Sequence, residues 1–530
     1  SLSGEKSGIM LSKFAISRKF YMLDLFSNLY SHSFNGNISD GLPLIYASIL
    51  GIVLVLLYLV NKKVSLKKRI IALIFFSTIL INFYIYALDL VWHGFNQPIG
   101  FPYRNSFIFS FILLHYAYCG FQTLTENKIS KKDCIVVLAI ITLYSVFVLL
   151  FKKELSSFGI IMFNMAFVIA YLLIFCFGFR SKKLITVSMV GIALLQCIDI
   201  TSNAVSSIDK YPVDTMQEYV GSISHTQEMV DQIKKEDPSF YRMEKTYRRT
   251  HNDAMQYNYN GLSHFSSTQK DEPKELLSKL GLRYYGDWVF YNDGSTSFVD
   301  SFLGIKYLLS QWNANGRPYD RIMDSNEYYV YENPYALSVG FGITEDILHV
   351  NMENDNLFEI QNEIADSFSS KHNEIYTPAD VSDPILENLQ KSGNVYQKID
   401  QDKDAYIIYH INIEQDYILN MYFSAPGLQE GEIIINDWNK GSYFTRYDWD
   451  IAEVGQFKPG EEVVLKVKVT GQDIMIDHSY FYYENKEHFF NWYHQSEINQ
   501  WNAEKISSSY LKGDIEIAES NQYMLFTIPY

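Results

Sequence analysis

The sequence predicts a multi-domain fold: an α-helical membrane bundle of about six spans, then an extracytoplasmic mixed α/β region and a β-sandwich. Three observations predict it. Six apolar runs crowd the first 205 of 530 residues, each long enough for a hydrocarbon core of ~30 Å. Charge divides at the same place: residues 1–205 carry 18 Lys and Arg against 8 Asp and Glu, the remainder 26 against 52. From about Ala405, short β-branched and aromatic runs alternate with Gly, Pro and Asn turns, the pattern of stacked antiparallel sheets.

In chain order, residues 1–41 read as an outer or interfacial segment. Lys13, Arg18 and Lys19 alternate there with Phe14, Phe20, Tyr21 and Phe26, as in a helix lying in the membrane interface or packed on protein. Residues 42–205 hold the spans Leu42–Val60, Ile70–Leu88, Ser106–Leu124, Ile135–Phe151, Phe158–Phe179 and Leu184–Thr201. The loops 61–69, 125–133 and 180–183 hold eleven Lys and Arg together, the opposite loops only Arg104, Lys152 and Lys153. The positive-inside rule puts the first set in the cytoplasm and everything after residue 205 outside.

Residues 206–400 read as mixed α/β, with helices at Ser222–Lys235 and Glu272–Leu280 and strands at Phe240–Tyr247, Arg283–Tyr291 and Ile305–Ser310. In 401–482 strands are expected at Ala405–Ile413, Tyr417–Ser424, Glu432–Ile435, Tyr443–Tyr447 and Val463–Val469, with a turn at Asn439–Gly441. Residues 483–530 read as a helix, Asn485–Trp501, and two strands of a small β unit cut short, since two strands make no stable sheet alone. A chain beginning at Ser1 with no signal peptide reads as a piece of a longer membrane protein.

Composition also excludes. The acidic second part cannot neutralise phosphates along a nucleic acid. All four cysteines lie in or beside the apolar runs, so residues 206–530 hold no disulfide and no thiolate metal site. The Asp-x-Asp matches at Asp402–Asp404 and Asp448–Asp450 are expected by chance among so many acids; a divalent metal has no support in the sequence, and no cofactor is evident. His-Glu-x-x-His and phosphate-loop motifs are absent.

Two stretches carry candidate chemistry. Between the second and third runs, Asp89–Asn105 holds Pro98, Pro102, Gly94 and Gly100, which stop a helix, and Trp92, Phe95, Phe101 and Tyr103, which suit the depth where bilayer meets water. Arg104 precedes a span, where a guanidinium and a helix start favour a phosphate; His93 is a second donor, and snorkelling to lipid head groups is the plain alternative for the Arg. Asp40, Asp89 and Asp199 fall at outer span ends as polar groups of one cleft, although Asp40 also reads as a helix cap. His115, Asn164 and Gln196 lie inside spans and read as interhelical hydrogen-bonding groups. The second stretch runs from Tyr241 to Ser266. Arg242, Arg248 and Arg249 form a basic island followed by Asn252, Tyr257 and His264. Cations beside amides and aromatic faces suit a sugar–phosphate acceptor; a strand pairing its basic face with the domain's own carboxylates is the alternative.

The residues Trp92-His93-Gly94-Phe95-Asn96 and Gly100-Phe101-Pro102-Tyr103-Arg104, with Ser106-Phe107, resemble the YfhO family of bacterial multi-span membrane proteins. The resemblance continues in Ser39–Pro43, Tyr241–Ser267, Leu303–Tyr307 and Phe526–Tyr530. It implies the C-terminal portion of a GT-C-type glycosyltransferase of Gram-positive bacteria, one moving a sugar from a polyprenyl-phosphate donor to an outer acceptor such as lipoteichoic acid. It also implies a catalytic Asp in a first outer loop. This sequence has no counterpart, so the general base is expected upstream of Ser1 and the chain is expected to be catalytically incomplete. Two other readings stay open: a non-catalytic membrane anchor displaying a carbohydrate-binding β domain, and an accessory protein of lipid-linked-sugar export.

Overall fold

A computed structural model describes residues 18–37, 41–94, 102–126, 129–152, 155–180, 182–266, 268, 270–291, 295–311, 317–325, 328–368, 374–497, 500–507, 510–515 and 522–527. The chain divides into two compact units, one of Ser7–Thr215 and one containing Met216–Tyr530.

The first unit is helical. Its helices are α1 (Ile49–Val60), α2 (Leu66–Tyr84), α3 (Tyr86–Trp92), α4 (Ser106–Glu126), α5 (Lys131–Phe151), α6 (Phe158–Phe177) and α7 (Lys182–Lys210). Four helices among the described residues are long and apolar enough to cross a membrane: α4, α5, α6 and Lys183–Lys210 of α7. They leave large apolar side chains exposed, among them Phe107, Phe111, Leu143, Leu150 and Val187, more than a water-facing helix tolerates. The run expected to span from Leu42 becomes helical only at Ile49, where Ser48 caps the helix by accepting from Gly51 N. Leu42 and Pro43 stay outside the helix, their carbonyls bound by the Asn28 amide. At 1.5 Å per residue, α1 is about 18 Å long. It is buried at Ile49, Val53, Leu54, Leu57 and Tyr58, and α4 crosses it closely: a Cβ on Gly120 would lie 2.4 Å from the Leu54 carbonyl oxygen.

No long interfacial helix occurs in residues 18–37; they hold only a 3-10 turn, Asp24–Leu29. The segment instead threads among the helices and gives them its backbone. Asn164 of α6 accepts from Ser31 N at 2.8 Å and donates to Ser31 O at 3.1 Å. Asn203 accepts from His32 N at 2.7 Å, and Lys210 donates to Phe34 O at 2.9 Å. Asn164 thus serves an extended segment rather than another helix. Gln196 accepts from the Tyr171 hydroxyl at 3.4 Å, while His115 lies against Cys119 and Tyr116 of its own helix.

The second unit starts with α8 (Met216–Glu236) and continues as several sheets. Strand Arg242–Lys245 runs parallel to Ile305–Ser310, which continues antiparallel to Tyr328–Glu332 and then Asp320–Ser325. The run expected as one strand, Arg283–Tyr291, is a hairpin of Arg283–Tyr285 and Trp288–Phe290, folded at Gly286, whose φ is +56°. Farther on, Ile385–Glu387, Tyr406–Asn412, Glu462–Val469, Gly431–Ile435 and Trp438–Tyr443 form one antiparallel sheet. Ala452–Gln456, Ile418–Ser424, His478–Glu484 and Tyr376–Pro378 form another. Alternate residues of both sheets, such as Ile407, Tyr409, Leu419 and Phe423, enter one apolar cluster. The turn expected at Asn439–Gly441 lies at Asn436-Asp437 instead, both left-handed, as a two-residue hairpin requires.

The second unit's parts are joined by buried polar groups. Asp300, fully buried, accepts from Ser295 Oγ at 2.6 Å, Tyr319 OH at 2.5 Å, Tyr291 OH at 2.9 Å and Arg317 Nη1 at 3.2 Å. Arg317 also reaches Glu453 of the second sheet at 3.2 Å. Of the last strands, Trp501–Ser507 and Tyr510–Ile515 pair with each other, whereas Gln522–Phe526 pairs antiparallel with Gly340–Thr344. The alternating pattern of that strand finds its partner far back in the chain. Arg242 fastens the same place. Its guanidinium donates to the carbonyls of Leu303 and Thr527 and, at 3.4 Å, to Thr527 Oγ1.

Arg242→Met leaves the Leu303 and Thr527 carbonyls without their donor, at about 2–6 kcal/mol for two buried unpaired acceptors. Hydrogen exchange of the detergent-solubilised chain should show the amides of Gln522–Phe526 losing protection first. Unchanged protection there would refute the fastening role.

Candidate functional site

In the helical unit, the polar residues of the proline-broken stretch gather around Asp89. The apolar helix breaks at Ile85, where backbone pairing with Arg18 and the bond from Lys19 N to Tyr84 O (3.0 Å) hold the interruption. This brings Lys19 Nζ to 2.6 Å from Asp89 Oδ2 and 4.0 Å from the centroid of the Tyr103 ring. Asp89 is buried, and a buried carboxylate needs such a partner. Its other oxygen, Oδ1, faces His93 Nε2 at 3.8 Å, too long for a hydrogen bond. Burial lowers the proton affinity of His93, against the pull of Asp89; Arg104 and Lys19 lower it further. The imidazole is therefore neutral at pH 7, beside the ion pair of Lys19 and Asp89.

Tyr103 turns the chain with a left-handed φ of +58°, uncommon for a residue with a Cβ. Its ring goes inward beneath Lys19, and Arg104 next to it is exposed immediately before α4. Asn105 is buried, and among the described residues neither atom of its amide has a hydrogen-bond partner. Sequence reasoning missed Lys19 and Asn105 as members of this group; the isolation of Lys19 within an aromatic run was its one available signal. Asp40 and Phe95–Phe101 lie outside the described residues. Asp199 is not a cleft residue. It is fully buried on α7, and its Oδ2 accepts from Ile49 N at 3.0 Å, capping the positive end of α1. Elsewhere in this unit a cleft of about 510 Å³ opens between Phe34, Leu44, Tyr46, Ile208, Tyr211 and Val213.

In the second unit the basic island separates into an interior and a face. All four residues of Arg242–Lys245 are buried. Arg242, expected to bind an acceptor, has no exposed surface to offer; burial pulls its pKa down to about 10. Glu244 accepts from the backbone of Leu262 and Ser263. Lys245 pairs with Asp253 at 2.7 Å and sits over Tyr257, a ring that is itself buried and also unavailable. Asp253 accepts from Arg249 N and Thr250 N as well, folding the island back on itself.

The face consists of what this core pushes outward. Arg248 is exposed and lies over the rings of Phe290 (5.0 Å) and Tyr447 (5.1 Å). His251 stacks on Trp288 at 5.1 Å and 24°. Phe265 and Tyr285 flank the same indole at 5.7 and 6.3 Å. Burial and Arg248 together lower the pKa of His251, whose Nδ1 has no hydrogen-bond partner among the described residues. Asn252 fixes the edge, accepting from Phe265 N at 2.8 Å, and His264 Nδ1 lies 2.7 Å from Leu262 O. Arg249 turns to Tyr219 of α8. The structure thus joins Arg248 and Asn252 to His251 and Trp288. The hairpin that carries Trp288 was legible only as a single strand.

The family described as Bacterial membrane protein YfhO matches residues 2–530. No curated protein is similar to the chain. Among solved structures, a cryo-EM structure of the arabinofuranosyltransferase AftD from Mycobacteria is similar over 68% of this chain and 40% of that one, with 11% identity and a TM-score of 0.17. The chain spans two fifths of that structure's length.

Glu244 gives a pH signature. Burial, outweighing its hydrogen bonds, raises its pKa from 4.5 to about 7. The folded chain then holds a proton that the unfolded chain has lost between these values. Its contribution to stability is complete below pH 4.5 and disappears as pH rises through 7. Denaturant titrations across this range should show a shallower decline for Glu244→Gln than for the wild type; equal slopes would refute the assignment.

Proposed function

The chain belongs to the YfhO family of bacterial membrane proteins, and from that premise we propose that it is part of a membrane glycosyltransferase. The reaction moves a sugar from a polyprenyl-phosphate donor to an extracytoplasmic acceptor, lipoteichoic acid or another wall polymer. In this reading the helical unit is a multi-span bundle of GT-C type in a Gram-positive cell membrane. The second unit, with its two sheets stacked as a sandwich, lies outside, as the eleven basic residues of the opposite loops support.

The observation that carries the reading is the group that Lys19, Asp89, His93 and Arg104 form beside the proline-broken stretch. A polyprenyl-phosphate sugar keeps its tail in lipid and its phosphate at the interface, the depth that Trp92 and Tyr103 suit. When the bond from the sugar to phosphate oxygen breaks, negative charge grows on the departing phosphate. Lys19 and Arg104 stabilise that charge, with the start of α4 behind Arg104. His93, neutral, donates a hydrogen bond to a phosphate oxygen. The apolar cleft beside Tyr46 has the character needed by the lipid tail.

The acceptor is held by the face at Arg248, His251 and Trp288, where a guanidinium meets phosphate and the indole stacks on a sugar ring. The surplus acid of residues 206–530 opposes a polyanion at long range, but salt screens it beyond ~10 Å, and the contact itself is basic. One observation favours a second reading, a membrane-anchored glycan-binding protein without catalysis: the carboxylates nearest this face, Glu244 and Asp253, are committed to backbone amides and to Lys245.

Cells carrying Arg104→Ala in the full-length protein should lose about 10- to 100-fold in surface-polymer glycosylation, the worth of one charged hydrogen bond. Trp288→Ala should weaken acceptor binding and spare the donor. If Arg104→Ala has no effect, the phosphate role is wrong; if only Trp288→Ala matters, the glycan-binding reading replaces transfer.

A further inference from the structure

We propose that Asn105 reads the sugar of the lipid donor: its amide bonds to ring hydroxyls while Arg104, one residue earlier, meets the phosphate. This rests on the transfer reading and adds the residue that recognises the group being moved. Asn105 is 6% exposed. Among the described residues it is the one amide or carboxylate whose two polar atoms are both buried and without a hydrogen-bond partner.

Its ordinary task is left undone. An Asn directly before a helix usually caps it, the side-chain oxygen accepting from the first turn. Here α4 begins at Ser106, and Ile108 N donates to the main-chain oxygen of Asn105 at 3.1 Å, leaving Oδ1 idle. Burying an amide with both ends unpaired is costly. The left-handed Tyr103, at φ +58°, adds backbone strain two residues earlier. Both costs fall in one turn, between buried Tyr103 and exposed Arg104 on one side and a membrane helix on the other.

The unpaired atoms select the ligand. Asn105 Oδ1 and Asp89 Oδ1 are acceptors and need donors, which an ionised phosphate does not have. Asn105 Nδ2 needs an acceptor. A hydroxyl serves both ends of the amide, and neighbouring ring hydroxyls serve it together. Charge narrows the class further: Lys19, already on Asp89 Oδ2, and Arg104 oppose an ammonium group, and His93 is neutral. The ligand is a phosphate carrying hydroxyls. Two membrane lipids have that chemistry, a polyprenyl-phosphate sugar and phosphatidylglycerol, and the proposal assigns the first.

The test is native mass spectrometry of the full chain in detergent, titrated with polyprenyl-phosphate glucose, polyprenyl-phosphate N-acetylglucosamine and bare polyprenyl phosphate. At least one sugar lipid should bind about tenfold tighter than the bare lipid. Asn105→Leu, close in volume, should remove that preference and keep the bare lipid's affinity. It should not lower the Tm, because it deletes an unpaired buried amide; a fall in Tm would mark a structural brace and overturn the proposal. Arg104→Ala should weaken all three lipids alike. The wild-type preference needs no variant: if sugar and bare lipids bind equally, or Asn105→Leu keeps the preference, Asn105 does not read the sugar. If none of the three binds, the transfer reading itself fails. Phosphatidylglycerol competing as well as the sugar lipid, with the same loss in Asn105→Leu, would assign the amide to bulk lipid and overturn the donor role.

Discussion

The guanidinium of Arg242 is buried where water cannot reach it, and burying a charge costs several kcal/mol unless the chain supplies partners. Those partners are two main-chain carbonyls, one at Leu303 and one at Thr527. They fix the geometry around them. Gly304, with φ at +68°, leaves the helix Ser297–Phe302 and starts the strand at Ile305, and a Cβ there would lie 2.8 Å from Leu337 O. Arg242 N donates to Gly304 O, so one residue aligns the parallel strand pair with its main chain and anchors the last strand with its side chain. Three stretches that resemble the YfhO family, at Tyr241–Arg242, Leu303–Tyr307 and Phe526–Thr527, meet at this interaction. Their shared pattern is explained by packing before any chemistry is invoked.

The same constraint governs the helical unit. Asp199 and Asn164 are cut off from water, and each has been given main-chain partners: the start of α1 for the carboxylate, both sides of Ser31 for the amide. Polar groups inside the bundle thus position an extended segment and a short helix that apolar packing alone would leave free to slide. Both buried aspartates are matched on one side only: Asp89 pairs one oxygen with Lys19 and turns the other toward a neutral imidazole across a gap, and Asp199 Oδ1 has no hydrogen-bond partner among the described residues.

How much of this was legible follows from what each residue's role depends on. Apolar run length marked α4, α5 and α6 to within a few residues, because lipid crossing is a local property of the sequence. The start of α1 was misplaced by seven residues, because the Asn28 side chain, upstream of the apolar run, holds the Leu42 and Pro43 carbonyls outside the helix. The fate of Arg242 and Tyr257 was illegible: a basic, aromatic string reads the same whether it faces solvent or lies under other strands. Arg248 and Asn252 could be read as neighbours, but His251 on Trp288 depends on a hairpin turn at Gly286 that the continuous aromatic run concealed. The cluster of Asp300, Arg317 and Glu453 gave no signal at all, since its members are scattered through a domain already rich in acid.

The pairing of Gln522–Phe526 with Gly340–Thr344 imposes an order of events on biosynthesis. Segments around Phe341, Arg242 and Leu303 emerge from the ribosome long before their last partner, and must wait for some two hundred further residues. Until then a sheet edge and a lone guanidinium stand open, the features that make a nascent chain adhere to its neighbours. Closure of this unit consequently waits until Gln522–Phe526 has been made, and a chaperone that shields the waiting edge would find its client at that interval.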